Sequence, residues 1–110
     1  MSDARIAEVA PGELRLEGVL DYRSGPALRQ AGQALIRKAT TATVIIDCSG
    51  VQQSSSVGLS LLLAYQRDAS AAGRQLRIVS LADDMRQMAG VYDLHEVLAF
   101  DEAVARPASA

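Results

Sequence analysis

The sequence predicts an α/β domain with a mixed, mostly parallel β-sheet of four or five strands and three or four helices packed on it. After two opening strands, helix-like and strand-like segments alternate in the order β-β-α-β-α-β-α-β, with a possible last helical turn. Strand–helix–strand units cross over right-handed, so they give parallel strands. With 110 residues and no repeat or linker, we expect one domain over residues 1–110, ordered over 5–103, with a frayed tail at 106–110.

The first two strands are predicted at residues 5–9 and 13–20. Pro11 and Gly12 form a turn signal between them, which favours a β-hairpin. In the second strand, Leu14, Leu16 and Leu20 share one face and charged residues lie on the other.

A first helix follows Ser24, because Pro26 is tolerated in a first helical turn. Its apolar positions recur at helical spacing: Leu28, Ala31, Leu35, Ile36 and Ala39. Residues 43–48 (TVIIDC) then form a strand that is apolar on both faces, which is typical of a strand covered on both sides.

The later elements are shorter. A strand at 76–81 precedes a short helix led by Asp83 and Asp84, with Met85 and Met88 expected in the core. A last strand is predicted at 97–100 and a helical turn at 101–105.

The second helix, at residues 56–72, carries the most information. It is preceded by serines, one of which should cap its open N–H groups. Gly73 follows the predicted last residue, at the position where helices often end with glycine. At 100° per residue, a wide apolar arc faces the sheet, whereas Leu59 and Leu63 fall among the polar residues and form an apolar ridge. Two interpretations stay open: the ridge packs under a neighbouring helix, or it contacts another protein.

If the ridge contacts a partner, the serines before it and the polar residues beside it complete the contact surface. The predicted partner-binding residues are Ser54, Ser55, Ser56, Val57, Leu59, Ser60, Leu63, Gln66 and Arg67. A phosphoryl group on one of these serines would be stabilised by the helix N-terminus and would add about −1.5 to −2 charge to the surface.

The strand at 44–51 (VIIDCSGV), followed by residues 54–63 (SSSVGLSLLL), resembles the STAS-domain family, which includes anti-sigma factor antagonists and the tails of sulphate transporters. The resemblance extends from about residue 13 to residue 100. Residues 18–21 (GVLD) and 92–94 (YDL) make the chain most similar to the MlaB-like branch, small cytoplasmic STAS subunits of Mla phospholipid ABC transporters. This resemblance implies that the chain is a non-catalytic subunit, which binds and regulates the MlaF-like ATPase of a transporter that maintains outer-membrane lipid asymmetry.

By resemblance, Ser56 occupies the position of the phosphorylated Ser or Thr of the antagonists. Ser55 stands where the family usually has Asp, and Val57 replaces a small residue. These departures favour docking over phosphorylation. The alternative is an anti-sigma factor antagonist controlled by phosphorylation of Ser56.

Nothing in the sequence assembles an active site, so we expect no enzyme activity, metal or cofactor. His95 is the single histidine, and Cys48 at the end of an apolar strand is expected to be a buried small residue. The net charge of −2 and the absence of a basic tract argue against nucleic acid. With one cysteine, no N-terminal apolar segment and no long apolar run, we expect a cytoplasmic protein that reaches the inner membrane only through its partner.

Overall fold

The computed structural model describes residues 4–81, 83 and 85–87, and it confirms the predicted α/β class. The elements are β1 (Arg5–Ala10), β2 (Glu13–Leu20), α1 (Gly25–Lys38), β3 (Thr43–Ser54), α2 (Ser56–Ala71) and β4 (Gln75–Val79). Residues 83 and 85–87 are also helical, where the third helix is predicted. The predicted strand at 97–100, the turn at 101–105, the tail at 106–110, Met88 and His95 lie outside the described residues.

The four strands form one sheet in the order β1-β2-β3-β4. β1 and β2 are antiparallel, as the hairpin signal predicts, and Gly12 in their turn has a φ of +74°, which favours glycine. β2, β3 and β4 are parallel. After each strand a helix, first α1 and then α2, returns the chain to the end of the sheet at which the strands begin.

One face of the sheet carries the hydrophobic core. Leu14 and Leu16 of β2, Val44 and Ile46 of β3, and Ile78 of β4 are fully buried there against residues of α1 and α2. The opposite face is more open: Arg15 pairs with Asp47 at 3.6 Å, and Ile45 is only half-buried. The expectation that β3 is covered on both sides is therefore wrong, because β-branched residues can also occupy a half-exposed sheet face.

β3 is longer than its apolar pattern predicts. It continues past Cys48 to Ser54, because residues 13–20 of β2 pair with residues 45–54 of β3. The pairing shifts register between Arg15 and Glu17 and again between Gly18 and Val19. Such bulges break the period-two pattern, so the polar sequence of residues 49–54 does not read as a strand.

α1 and α2 pack closely beside each other on the core face. The Tyr65 hydroxyl donates a 2.6 Å hydrogen bond to the Leu28 carbonyl, across the point where Gly32 lets the ring approach the α1 backbone. Arg29 donates two hydrogen bonds to the buried Asp68 carboxylate, at 3.1 and 3.2 Å, and Gln33 donates a third at 3.2 Å. These contacts fix the two helices relative to one another.

Candidate functional site

Residues Ser54, Ser55 and Ser56, here called the serine tip, connect β3 directly to α2. Ser55 caps the helix: its side-chain oxygen accepts a 3.2 Å hydrogen bond from the Val57 N–H. The Ser55 N–H also donates to the Leu20 carbonyl at 3.1 Å, which ties the tip to the end of β2. Ser56 is the first helical residue and is exposed.

Because Ser55 is the cap, the two adjacent serines should respond differently to replacement. Ser55→Ala should lower the free energy of unfolding by about 1 kcal/mol. Ser56→Ala should change it by less than about 0.5 kcal/mol, as for an ordinary surface position. Urea denaturation of both variants measures the difference, and an equal loss for the two would contradict the assignment of the cap.

A second helix start lies beside the serine tip. In the loop before α1, the Asp21 carboxylate accepts hydrogen bonds from the N–H groups of Arg23 (2.9 Å) and Ser24 (3.1 Å). The buried Ser24 hydroxyl donates to the Val19 carbonyl at 2.9 Å. A Cβ atom at Gly25 would lie 3.1 Å from the Val57 side chain, so the starts of α1 and α2 are in contact. Both helices thus begin at the carboxyl end of the parallel strands, where α/β sheets commonly place their binding sites.

A shallow groove of about 250 Å³ runs between the first turns of the two helices. It is lined by the apolar residues Pro26, Val57, Leu61 and Ala64 and by the polar residues Arg29 and Ser60. We call it the helix groove. The sequence predicts Val57 and Ser60 as contact residues, but it gives no sign that α1 supplies the other wall, because which helices are neighbours depends on the sheet order.

Of the two interpretations of the Leu59 and Leu63 ridge, the structure supports packing within the domain. Leu59 is only 3% exposed and belongs to the hydrophobic core. Leu63 is half-buried and packs against that core. The buried part of α2 is wider than one sheet-facing stripe. On one side Arg29 of α1 pairs with the buried Asp68, and on another Met85 of the third helical segment packs near Gly58.

The exposed surface of α2 is therefore polar. Ser56, Ser60 and Arg67 are exposed, whereas Ser54, Val57 and Gln66 are half-buried. Tyr22, in the loop before α1, is the residue that the sequence reasoning missed: it is 73% exposed, and the Arg23 guanidinium lies 5.5 Å from its ring centre. An exposed aromatic residue between a strand and a helix is a signal that could have identified it.

The described residues offer little chemistry for a reaction. Burial and the nearby Asp47 carboxylate raise the pKa of the Cys48 thiol to about 12, so the thiolate that a nucleophile needs is disfavoured near neutral pH. Within residues 4–81, 83 and 85–87, His, Cys, Asp and Glu form no group that could hold a metal ion. In that same part of the chain, every helix is too short or too polar to cross a membrane.

Comparison with known proteins gives a family match over most of the chain. The family model described as "Mlab, STAS domain" matches residues 5–99. No curated protein sequence matches significantly.

Solved structures show the same fold. The anti-sigma factor antagonist SpoIIAA in its unphosphorylated form has a TM-score of 0.68 at 19% identity, covering 97% of each chain. An anti-sigma factor antagonist from Mycobacterium paratuberculosis has a TM-score of 0.72 at 22% identity, covering 91% of this chain and 85% of its own. The phosphorylated form of SpoIIAA, a Bacillus cell fate determinant, has a TM-score of 0.63 at 19% identity, with 94% and 98% coverage. At these identities the likeness establishes the fold alone.

Proposed function

This chain belongs to the MlaB-type STAS-domain family, and from that premise we propose that it is a non-catalytic docking subunit of an Mla-type phospholipid ABC transporter. It would bind the MlaF-like ATPase, support its assembly or activity, and so serve outer-membrane lipid asymmetry. Its place would be the cytoplasmic side of the inner membrane, held there by the partner.

The observation that carries the proposal is the exposed Ser56 at the start of α2, beside the helix groove. A hydroxyl on a rigid helix end, next to an apolar depression, offers both a polar contact and a pocket for a partner side chain. The corrected docking surface consists of the serine tip, Val57, Ser60 and Arg67, with Leu63 and Gln66 at its margin. Leu59 is excluded because it is buried.

Coupling to the ATPase would follow from linkage. A subunit that binds the assembled or active form of the ATPase more tightly shifts the population toward that form, and the effect is reciprocal. No reacting group on this chain is needed for such a role.

A charge at the serine tip tests the docking surface. Ser56→Glu should raise the Kd for the purified ATPase at least tenfold, because a carboxylate would have to be desolvated in the contact. Isothermal titration measures the Kd, and Ser70→Glu, also an exposed serine of α2 but near its other end, should bind as the wild type does. Equal binding by both variants would remove Ser56 from the interface, and no binding by the wild type would refute the proposed partner.

The second candidate is an anti-sigma factor antagonist, which the exposure of the Ser56 hydroxyl favours because a kinase could reach it. Incubation with anti-sigma factor kinases and ATP, followed by mass spectrometry, separates the two functions. Stoichiometric phosphate on Ser56 would support the antagonist, and an unmodified chain that still binds the ATPase would support the transporter subunit.

A further inference from the structure

Charge is unevenly divided between the two layers of this domain. The whole chain has a net charge of −2, yet α1 and α2 together contain four basic residues and one acidic residue. That acid, Asp68, is buried and already paired with Arg29. The exposed side of α1 and α2 is therefore basic although the protein as a whole is acidic.

Of these basic residues, Arg29 lines the helix groove, whereas Arg37 and Lys38 lie in the last turn of α1. Arg67 lies on the same exposed stripe of α2 as Ser60, two turns further along. Arg23 is exposed in the loop that leads into Gly25 and Pro26. Arg23 and Arg67 have no carboxylate within ion-pair distance among the described residues, so their charges are available to a partner.

The groove itself has room for one large apolar side chain. Its volume of about 250 Å³ exceeds the cavity of about 150 Å³ that can hold benzene. Most of its lining is apolar, and two of the apolar residues, Leu61 and Ala64, are buried.

We propose that the helix groove, together with Arg23 and Arg67, binds an acidic segment of the partner protein, which inserts one large apolar side chain between α1 and α2. The carboxylates of that segment meet Arg23 and Arg67, and Arg29 remains with Asp68. This inference deepens the proposed function, because it gives the chemistry of the partner surface at the docking site.

A membrane surface fits the same features less well. Proteins that lie on anionic lipid insert exposed apolar side chains below a basic rim. Among the described residues the large exposed apolar side chains are Val9 and Tyr22. Val9 belongs to β1, away from the groove, so Tyr22, whose ring centre lies 5.5 Å from the Arg23 guanidinium, is a single aromatic residue rather than an apolar patch. In the groove, Leu61 and Ala64 are buried and do not project from the surface, which suits a projecting side chain of another protein.

A pair of peptides tests the inference without reference to the partner's identity. Both are amphipathic helices with the same leucines, one with glutamate and the other with lysine at every polar position. We expect the glutamate peptide to shift the amide resonances of Val57, Ser60 and Ala64 in the whole protein, and the lysine peptide to leave them unchanged. If both peptides or neither of them shift these amides, the inference is overturned.

The purified ATPase provides the second measurement. Arg23→Glu/Arg67→Glu should raise its Kd at least tenfold at 50 mM NaCl, whereas Arg77→Glu, an exposed arginine on β4, should not change it. Arg29 is left in place because its loss would strand the buried Asp68 carboxylate. Affinity of the wild type should fall with added salt, since exposed charges are screened beyond about 10 Å at 0.1 M.

The outcomes separate this inference from the proposed function. If the ATPase binds and the double variant behaves like Arg77→Glu, the acidic segment is refuted and the docking function stands. If the wild type does not bind the ATPase, the proposed partner is refuted and the peptide pair alone decides the inference. Co-sedimentation with phosphatidylglycerol vesicles that the double variant abolishes would overturn the inference in favour of lipid.

Discussion

Leu59→Ala should lower the free energy of unfolding by about 2–5 kcal/mol, the usual loss when a buried leucine is truncated and leaves a cavity. Leu59 is 3% exposed and lies in the same core cluster as Leu62 and Met85. Because small domains have only about 5–15 kcal/mol of stability, this single change would remove a large share of the free energy of unfolding. Urea denaturation followed by circular dichroism measures the loss.

Leu63→Ala is the matched control, because it removes the same atoms one turn further along α2. Leu63 is half-buried, so part of its apolar surface is already in water and the loss should be well below that of Leu59→Ala. Equal losses, or a larger one at Leu63, would show that the core side of α2 has been assigned wrongly. A variant that keeps most of its free energy of unfolding in this comparison can also be used in binding experiments.

Gly32→Ala should destabilise the domain by up to about 2 kcal/mol, although alanine is the better helix former. The gain in helix propensity is about 1 kcal/mol. Against it, a Cβ at Gly32 would lie 2.5 Å from Cζ of Tyr65 and 2.7 Å from its hydroxyl oxygen, so the ring or the helix must move. The ring is fully buried and its hydroxyl is hydrogen-bonded to Leu28, so we expect the strain of overpacking, about 1–3 kcal/mol or more, to exceed the gain.

Removing the ring should reverse the sign of the effect. In a Tyr65→Leu background the overlapping atoms are absent, so Gly32→Ala should become neutral or stabilising by up to about 1 kcal/mol. A double-mutant cycle measured by thermal unfolding gives the coupling directly. If Gly32→Ala costs the same in both backgrounds, contact with Tyr65 is not the reason for glycine at this position.

Most elements could be predicted because they have local causes. The turn at Gly12, the end of α2 at Gly73 and the alternating leucines of β2 depend on one or a few neighbouring residues. Gly73 has a φ of +73°, and the Arg74 N–H donates to the Ala69 carbonyl at 2.8 Å, the pattern that closes a helix with a left-handed residue. The far end of β3 was missed because its pairing with β2 is set by the backbone of another strand.

The site was predicted only in part, for a reason that concerns helix faces. Helical periodicity says which residues share a side of α2, but it does not say how many sides are covered. Leu59 falls among polar residues on the helical wheel and is nevertheless buried. Tyr22 lies outside any periodic segment, so periodicity gives no indication that it is exposed. The serine tip was found from sequence because N-caps have a local chemical signature.

The sequence alone determined that this protein is an α/β domain with a serine-capped second helix and that it resembles one family. These features could be predicted because strand alternation, turn residues and caps act over a few neighbouring positions. Only the tertiary structure decided that α1 forms the other wall of the groove and that Leu59 belongs to the core. Whether a side chain is buried, and which helices lie next to each other, depends on contacts between distant parts of the chain. They depend on how the sheet orders its strands, which periodicity along one helix does not determine.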